Sequence, residues 1–466
     1  VNLSEIELLE RVEEDLKRKG LPIVKKDVKI GRLRPDMVAY KVNENEELSA
    51  EVVVEIKSDS SLVMMAQQQL MKYVKELNTS YALLVTNEKN YWFDGKTFLP
   101  IDEPEFDSQY LINDEDMEQV IRGVIDKFNG HMRYEQIATV LAYNLLIRSY
   151  LSDNNQMDLW WNIKNEDDLI GWINEANKFY SIDINPLKQG LNEELVQFSI
   201  TNLSALPPKS AVIQNVFLKV WEISRTTGQY LSPDHLRKLF ANIIKHLSFD
   251  KDKVVDLAAG LGSIALEVMK VNKVNYMVAF EIQKETSNLF KILSIISGYG
   301  QINTVLADSL QENELLQDNT YALSLVDPPL RYKYKLSEDQ ISRFQVASNR
   351  KNVDINDLFI ERAIQVTEPG GYILAIVPEN VLFSVPSQVT RDLIKDKTII
   401  EAIISLPPHT LKPYAAVKLS LLVLRKKKAT DETANELFIA MAESIDEFDE
   451  IVSGFSVWKK GGDARG

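Results

Sequence analysis

The spacing of hydrophobic and polar residues changes along the chain and divides it into three regions. Near the start, short apolar runs at 37–40 and 52–56 flank a polar turn at 43–47, the pattern of a β-hairpin. A helix carrying 67–73 follows. From 115 the apolar residues recur at three- and four-residue intervals over 115–129, 133–152, 166–179, 186–198 and 212–226, which predicts a helical middle region. The stretch 203–210, with Pro207-Pro208, reads as a linker. Beyond it, buried runs at 254–257, 276–280, 303–306, 324–326 and 372–377 alternate with helical segments at 235–244, 264–268 and 358–366. Strands alternating with helices predict an α/β region with a doubly wound parallel sheet. Two further apolar runs, 399–406 and 417–424, are joined through Pro407-Pro408-His409 and Pro413 and read as an antiparallel pair; 437–441 suggests one more strand. Gly461 to Gly466 has the composition of a loop.

The ends of these strands carry candidate chemistry. The first ends at Asp256 and turns through Gly260 and Gly262, where glycines let the backbone pass close to a ligand before a helix begins. The second ends at Glu281, a place from which a carboxylate suits a ribose diol. The third leads to Asp308, and the fourth to Asp327-Pro328-Pro329-Leu330. Taken singly, these are ordinary βα turns and a strand stopped by proline. In succession they put three acids and an Asp-Pro-Pro on one sheet edge. Asp-Pro-Pro suits an exocyclic amine, whose lone pair is delocalised into its ring. The Asp327 carboxylate and the Pro328 carbonyl are two acceptors at fixed separation, and proline contributes no N–H to compete. Such a pair draws the nitrogen toward tetrahedral geometry and exposes its lone pair.

The glycine turn and Asp327-Pro328-Pro329 together resemble the cofactor and catalytic motifs of amino-methylating DNA methyltransferases that use S-adenosylmethionine. Thr227-Gly228-Gln229-Tyr230-Leu231-Ser232-Pro233, and the run from Gly370-Gly371-Tyr372 to Leu382-Phe383, resemble modification subunits of type I restriction systems. The resemblance covers about 224–428. It implies a seven-stranded sheet whose sixth and seventh strands are antiparallel, and a target base turned out of the duplex. Adenine is the implied base, and the amine of cytosine stays open. The resemblance assigns the cofactor to Asp256, Gly260, Gly262, Glu281 and Asp308, with the segment at Ser232 holding its methionine part. It assigns catalysis to Asp327, Pro328 and Pro329. Ser232 also reads as a helix N-cap with Pro233 at the first helical position. The family places an aromatic residue after the second proline. Leu330 stands there instead, and Tyr332 and Tyr334 are the nearby rings that could stack on a base.

A second set of groups lies on the N-terminal hairpin. Asp36 precedes one strand; Glu55 and Lys57, two residues apart, share one face of the other. Two carboxylates can hold Mg²⁺, which takes oxygen ligands, while a lysine polarises water or phosphate. A Glu-x-Lys pair is also common as a solvated charge pair. The order Asp36, Glu55-x-Lys57, then Gln69-x-x-x-Tyr73 resembles the PD-(D/E)xK core of type I restriction subunits. That resemblance implies a Mg²⁺ site on Asp36 and Glu55, with Lys57 and Gln69 beside it. Glu10 or Glu14 of the first helix could join it.

Composition sets the remaining expectations. The 466 residues suit two or three domains. No apolar run approaches the about 18 residues of a membrane span, and the N-terminus lacks the pattern of a secretory signal. The chain has no cysteine, which excludes disulfides and thiolate metal sites and fits a reducing cytoplasm. A net charge of −15 opposes indiscriminate binding to DNA. Local cations must therefore do that work, with candidates at Lys25-Lys26, Arg32, Arg34, Arg331 to Lys335 and Arg425 to Lys428. The expected organisation is a nuclease-like domain at 1–110, a helical domain at 111–210, a methyltransferase domain at 211–430 and an extension at 431–466. Little chain follows the methyltransferase region, so recognition of a DNA sequence is expected from a specificity subunit or from a target-recognition domain outside this chain. The function expected is methylation of double-stranded DNA in a restriction or phage-defence system. The alternatives are a nuclease with a degenerate sensing domain and a non-catalytic DNA-binding subunit.

Overall fold

The computed structural model describes residues 3–43, 45, 47–59, 62–107, 109–111, 113–224, 231–330, 332–408, 410–411, 417–431 and 436–463. Parts of the predicted 43–47 turn, Thr227 to Tyr230, Arg331, His409, Pro413 and Ala464 to Gly466 lie outside them. The chain forms two compact units. One comprises Val1–Ser181 with Asn185–Ser224, the other Ile182–Ile184 with Arg225–Gly466.

In the first unit, helix α1 (Glu5–Arg18) starts at a capping box in which Ser4 and Glu7 satisfy each other's backbone. A six-stranded sheet follows, built from β1 (Ile23–Lys26), β2 (Met37–Val42), β3 (Leu48–Lys57), β4 (Tyr81–Thr86), β5 (Asn90–Asp94) and β6 (Pro100–Ile101) in that spatial order. The predicted hairpin is β2 and β3, which pair antiparallel. Helix α2 (Val63–Leu77) carries the chain across to β4, which lies parallel to β3. The alternation along β3 assigns the two faces. Val52, Val54 and Ile56 meet Leu8, Val12 and Leu16 of α1, while Val53 meets Ala66, Leu70 and Tyr73 of α2. Glu55 and Lys57 share the α2 face by their period.

Five helices complete this unit: α3 (Asp114–Phe128), α4 (Tyr134–Asp153), α5 (Glu166–Tyr180), α6 (Glu193–Leu203) and α7 (Ala211–Ser224). Helix α4 packs against α5, α6 and α7 and is buried on most sides. The sixth helix begins at Glu193 rather than at 186, capped by Asn192, because 186–191 is held in an irregular path. There the backbone N–H groups of Gln189, Gly190 and Leu191 all donate to Glu166. The expected linker at 203–210 is a pinned connection inside the bundle. Arg148 donates to the carbonyls of Ser204 and Leu206, and Ser149 to that of Pro208. Helix α7 packs on α3 and α4 and so shares their bundle. Trp160 is in this core, donating its indole N–H to the Ile200 carbonyl.

The second unit is a sheet with helices α8 (Asp234–Ile244), α9 (Ser263–Asn272), α10 (Lys284–Ile296), α11 (Glu338–Arg343), α12 (Ile355–Val366), α13 (Gln388–Lys397) and α14 (Phe448–Asp463). Its strands are β7 (Val254–Asp256), β8 (Met277–Glu281), β9 (Ile302–Leu306), β10 (Tyr321–Val326), β13 (Thr367–Pro378), β14 (Thr398–Ser405), β15 (Leu419–Lys426) and β16 (Phe438–Met441). A separate small pair, β11 (Lys333–Lys335) and β12 (Asn352–Asp354), is antiparallel. The order across the large sheet is β16-β14-β15-β13-β10-β7-β8-β9. The expected seven strands are present, with β15 antiparallel between β13 and β14. An eighth, β16, adds parallel to β14 at the edge. The loop composition at Gly461 is misleading: α14 runs through Gly461, Gly462 and Asp463, because Phe455 and Trp458 on its apolar face pack edge-on and tilted against Phe438 of β16. Among the described residues, no helix is long and apolar enough to cross a membrane.

Candidate active sites

Parallel pairing brings the sequence-predicted acids to one place. Asp256 ends β7 opposite Leu325 of β10 and Ala279 of β8, and Glu281 ends β8 opposite Leu306 of β9. Asp308 and Asp327 follow directly on β9 and β10. This is the carboxyl edge at which doubly wound sheets bind ligands, and β7 is the strand at which the order reverses.

The glycine turn is built by φ angles that L side chains avoid: 57° at Gly260 and 75° at Gly262. At Gly262 a Cβ would lie 1.9 Å from the Phe290 ring of α10, so only glycine lets α9 start there. The Gly260 N–H donates to Glu281 Oε2 at 3.0 Å, and Gln283 N–H to Oε1 at 2.7 Å. Burial holds the Glu281 carboxyl above its ordinary range, against those backbone donors. Asp308 accepts from the Leu310 N–H at 2.9 Å and from the Tyr334 hydroxyl at 2.5 Å. Tyr334 is therefore tied to the acid proposed for the cofactor's amine, and its hydroxyl also accepts from Gln311 and Gln340. Of the two tyrosines expected near the target base, Tyr332 is the exposed one, at 54%.

Asp256 is buried, with one oxygen accepting from the Ala258 N–H at 3.1 Å. It lies under the glycine turn. Burial, with Asp327 and Glu281 nearby, pushes its carboxyl up to about 7. Asp327 is half-buried, and Ser232 Oγ donates to its Oδ2 at 2.6 Å. Burial pushes Asp327 up to about 6, and the serine holds it down from going further. Pro328 is buried and Pro329 exposed. Ser232 is not the helix N-cap. Pro233 occupies that position, its hydrocarbon ring offering no cap bond, and the serine hydroxyl is engaged by Asp327 instead.

In the first unit, Asp36, Glu55 and Lys57 meet on one side of the sheet. Lys57 Nζ is 2.7 Å from Glu55 Oε1 and 4.0 Å from Asp36 Oδ2. Asp36 Oδ2 also accepts from the Ile56 N–H at 2.7 Å. The second oxygen of Glu55 is buried without a hydrogen-bond partner among the described residues. Burial raises both carboxyls above their ordinary range, against the pull of Lys57. The acid of α1 that these groups feel is Glu5, not Glu10 or Glu14. Glu14 is instead taken by Arg18 and Lys164. Glu5 was missed because it belongs to the first turn of α1, beside Ser58, and nothing in its spacing marks it. Tyr73 closes the other side, donating to the Arg34 carbonyl at 3.2 Å, while Gln69 is exposed one turn earlier on α2. Among the described residues, no three His, Cys, Asp or Glu side chains are grouped to hold a metal.

Comparison with known proteins gives these sites a family. Residues 216–453 match the N-6 DNA Methylase family, and residues 4–94 match the PD-(D/E)XK nuclease superfamily. The chain belongs to the N-6 DNA methylase family. The chain is 26% identical over 226 residues to the type I restriction enzyme MpnII methylase subunit of Mycoplasma pneumoniae, covering 44% of this chain and 41% of that protein. It is 23% identical over 198 residues to YtxK of Bacillus subtilis, covering 40% of this chain and 56% of that protein. The chain thus spans about half the length of the curated relatives it matches. A type I restriction-modification methyltransferase subunit from Streptococcus thermophilus shares the fold, with a TM-score of 0.55 at 14% identity, over 74% of this chain and 93% of that one. The sheet is that of an S-adenosylmethionine-dependent methyltransferase.

The buried Asp256 has a consequence for stability. Its folded value, about 7, lies above its ordinary one. Its contribution to stability is therefore complete below the ordinary carboxylate range and is lost as pH rises toward 7. Asp256→Asn keeps an acceptor for the Ala258 N–H and carries no charge. Thermal denaturation should show the variant more stable than the parent at pH 8, by on the order of a few kcal/mol, and little different at pH 4. Equal pH dependence in the two proteins would remove the charge from Asp256.

Proposed function

We propose that this methylase-family protein transfers a methyl group from S-adenosylmethionine to the exocyclic amine of adenine in double-stranded DNA. The reading places it in the cytoplasm, in a restriction or phage-defence system where a specificity subunit or further domain selects the sequence. The observation that carries the reading is the state of Asp327. Its Oδ2 is held by Ser232, while its Oδ1 has no hydrogen bond among the described residues, and neither does the Pro328 carbonyl. Two free acceptors at the carboxyl edge match the two N–H bonds of an amine.

The residues around the turn fit the cofactor: Gly260 keeps the backbone open, and the Glu281 and Asp308 carboxylates suit a ribose diol and an adenine amine. When bound, S-adenosylmethionine supplies an electrophilic methyl group on a sulfonium. Asp327 and the Pro328 carbonyl hold the target amine and stabilise the positive charge that grows on its nitrogen. With Oδ2 accepting from Ser232, a proton taken up by Asp327 falls on Oδ1 and turns that acceptor into a donor. Transfer should therefore fall as pH drops below about 6. Asp327→Ala should lower kcat by on the order of 10²–10³ while leaving cofactor affinity nearly intact. Labelled methyl transfer to unmodified DNA, followed by digestion to nucleosides, tests the reading. Label in N6-methyladenine supports it. Absence of any label favours the second reading, a nuclease whose methyltransferase domain only senses cofactor or DNA. Leu330, at the usual aromatic position, and the engagement of Tyr334 by Asp308 favour that second reading.

The N-terminal centre is proposed as a Mg²⁺-dependent endonuclease. Asp36 and Glu55 would hold the ion, and the unpartnered buried oxygen of Glu55 fits a cation. The ion would supply charge neutralisation at the scissile phosphate. Lys57 would hold charge developing on that phosphate. Arg32 and Arg34, with Lys72 and Lys75 of α2, are exposed and have no carboxylate partner among the described residues. Arg32, Lys72 and Lys75 line one groove with a single carboxylate, Glu76, a net positive lining that suits a phosphate backbone. Because both carboxyls are raised, protons compete with the ion. Thermal stabilisation by Mg²⁺ should be small at pH 5, grow toward pH 8, and vanish in Glu55→Ala. Cleavage, where the sequence-recognition partner is present, should vanish in Lys57→Ala without loss of fold. Stabilisation that ignores pH, or that survives Glu55→Ala, would remove the ion from this site.

A further inference from the structure

We infer that Ser232 is a positioning residue for Asp327: its hydroxyl fixes one carboxylate oxygen, so that the other is presented to the target amine. The inference rests on the proposed methyl transfer and deepens it, because the sequence resemblance gives this segment only to the cofactor.

The geometry is specific. Ser232 is 5% exposed, and its Oγ is 2.6 Å from Asp327 Oδ2. It comes from a part of the chain remote in sequence, 95 residues before Asp327. Its place is fixed by the fold. Ser232 enters α8 through Pro233, whose carbonyl accepts from the N–H groups of Leu236 and Arg237. Helix α8 packs along α9, and buried Asn272 at the end of α9 donates to the Ala241 carbonyl at 3.0 Å. Helix α9 starts at Gly262, the last glycine of the cofactor turn. The same helix pair therefore holds the serine and the turn, while pairing of β10 with β7 holds Asp327 beside them.

The bond answers an electrostatic difficulty. Asp327 is pushed up by burial at this edge, and Asp256 of β7, with Asp327 and Glu281 nearby, is pushed up as well. A carboxylate taken out of water is driven to protonate. Among the described residues, Ser232 is the one donor on Asp327. A charge-assisted hydroxyl bond favours the ionised acid and stops its rotation, so that Oδ1 and the Pro328 carbonyl keep their separation. Alanine at 232 would leave the acid freer to turn and easier to protonate.

The test compares the full chain with Ser232→Ala and Ser232→Thr. In Ser232→Ala the acidic limb of the methyl-transfer pH profile should move up by about 1 pH unit, the size expected for a lost bond to a charged group. At pH 8 kcat should fall about tenfold with KM for S-adenosylmethionine within about twofold, since only orientation is lost. Ser232→Thr, which keeps the hydroxyl, should restore both. An unmoved limb, or a raised KM with unchanged kcat, would overturn the inference and return Ser232 to the cofactor. A second readout is independent of transfer. Carbon-13 titration of the aspartate carboxyls, with Asp327 assigned by its Asp327→Asn variant, should show the Asp327 midpoint higher in Ser232→Ala than in the parent. Equal midpoints would overturn the inference even if the parent transfers no methyl group. A displaced midpoint without transfer would uphold the bond and count against the methylation reading alone.

Discussion

Desolvation of carboxylates at the ends of parallel strands is the constraint on which the rest of this structure depends. Pairing β7 with β8 and β10 in one parallel register delivers Asp256, Glu281 and Asp327 to a single edge, where water is thin and like charges are close. Such an arrangement costs stability unless each oxygen finds a donor. The chain meets that cost locally. Backbone N–H groups at Ala258, Gly260 and Gln283 serve Asp256 and Glu281, Leu310 and Tyr334 serve Asp308, and Ser232 serves one oxygen of Asp327. Among the described residues, one oxygen of Asp256 and one of Asp327 are left without a donor; Asp256 is buried beneath the turn, and the half-buried Asp327 is the one that a substrate amine would satisfy.

The N-terminal centre solves the same difficulty with another partner. Asp36 and Glu55 are also raised by burial, but the compensating group is the Lys57 ammonium rather than a hydroxyl. A full positive charge beside the pair leaves one Glu55 oxygen buried and unmatched. The two centres therefore invite different ligands. A neutral amine with two hydrogens suits Asp327 and Pro328, and a cation suits Asp36 and Glu55. The acidic chain gathers Arg32, Lys72 and Lys75 along one groove of the same unit, where a polyanion would otherwise be repelled.

Much of this was legible in the order of residues, because buried parallel strands write themselves as apolar runs and their ligand-bearing ends follow directly. Asp256, Gly260, Glu281, Asp308 and Asp327 are each the residue at or just past such a run, and β2 and β3 show Asp36, Glu55 and Lys57 in the same way. What stayed hidden depends on contacts between distant segments. The hydroxyl of Ser232 looked like a helix cap because Pro233 and α8 follow it, and only the fold turns it toward Asp327. Tyr334 looked free to stack, and only the β11–β12 pair aims its hydroxyl at Asp308. Glu5 differs from Glu10 and Glu14 by place alone. The segment 203–210 has the composition of a linker, yet Arg148 and Ser149 bind its carbonyls from within α4. Helix α14 contains two adjacent glycines that argue against a helix, and the stacking of Phe455 and Trp458 overrides them.

The central claim is that Gly260, Glu281 and Asp308 form one cofactor site at the edge that also carries Asp327. Calorimetric titration of the folded chain with S-adenosylmethionine tests it most directly. Saturable binding, weakened at least about tenfold in Glu281→Ala (roughly 1.4 kcal/mol), is the predicted result. Absence of binding heat on folded protein across several temperatures, or equal affinity in Glu281→Ala, would contradict it.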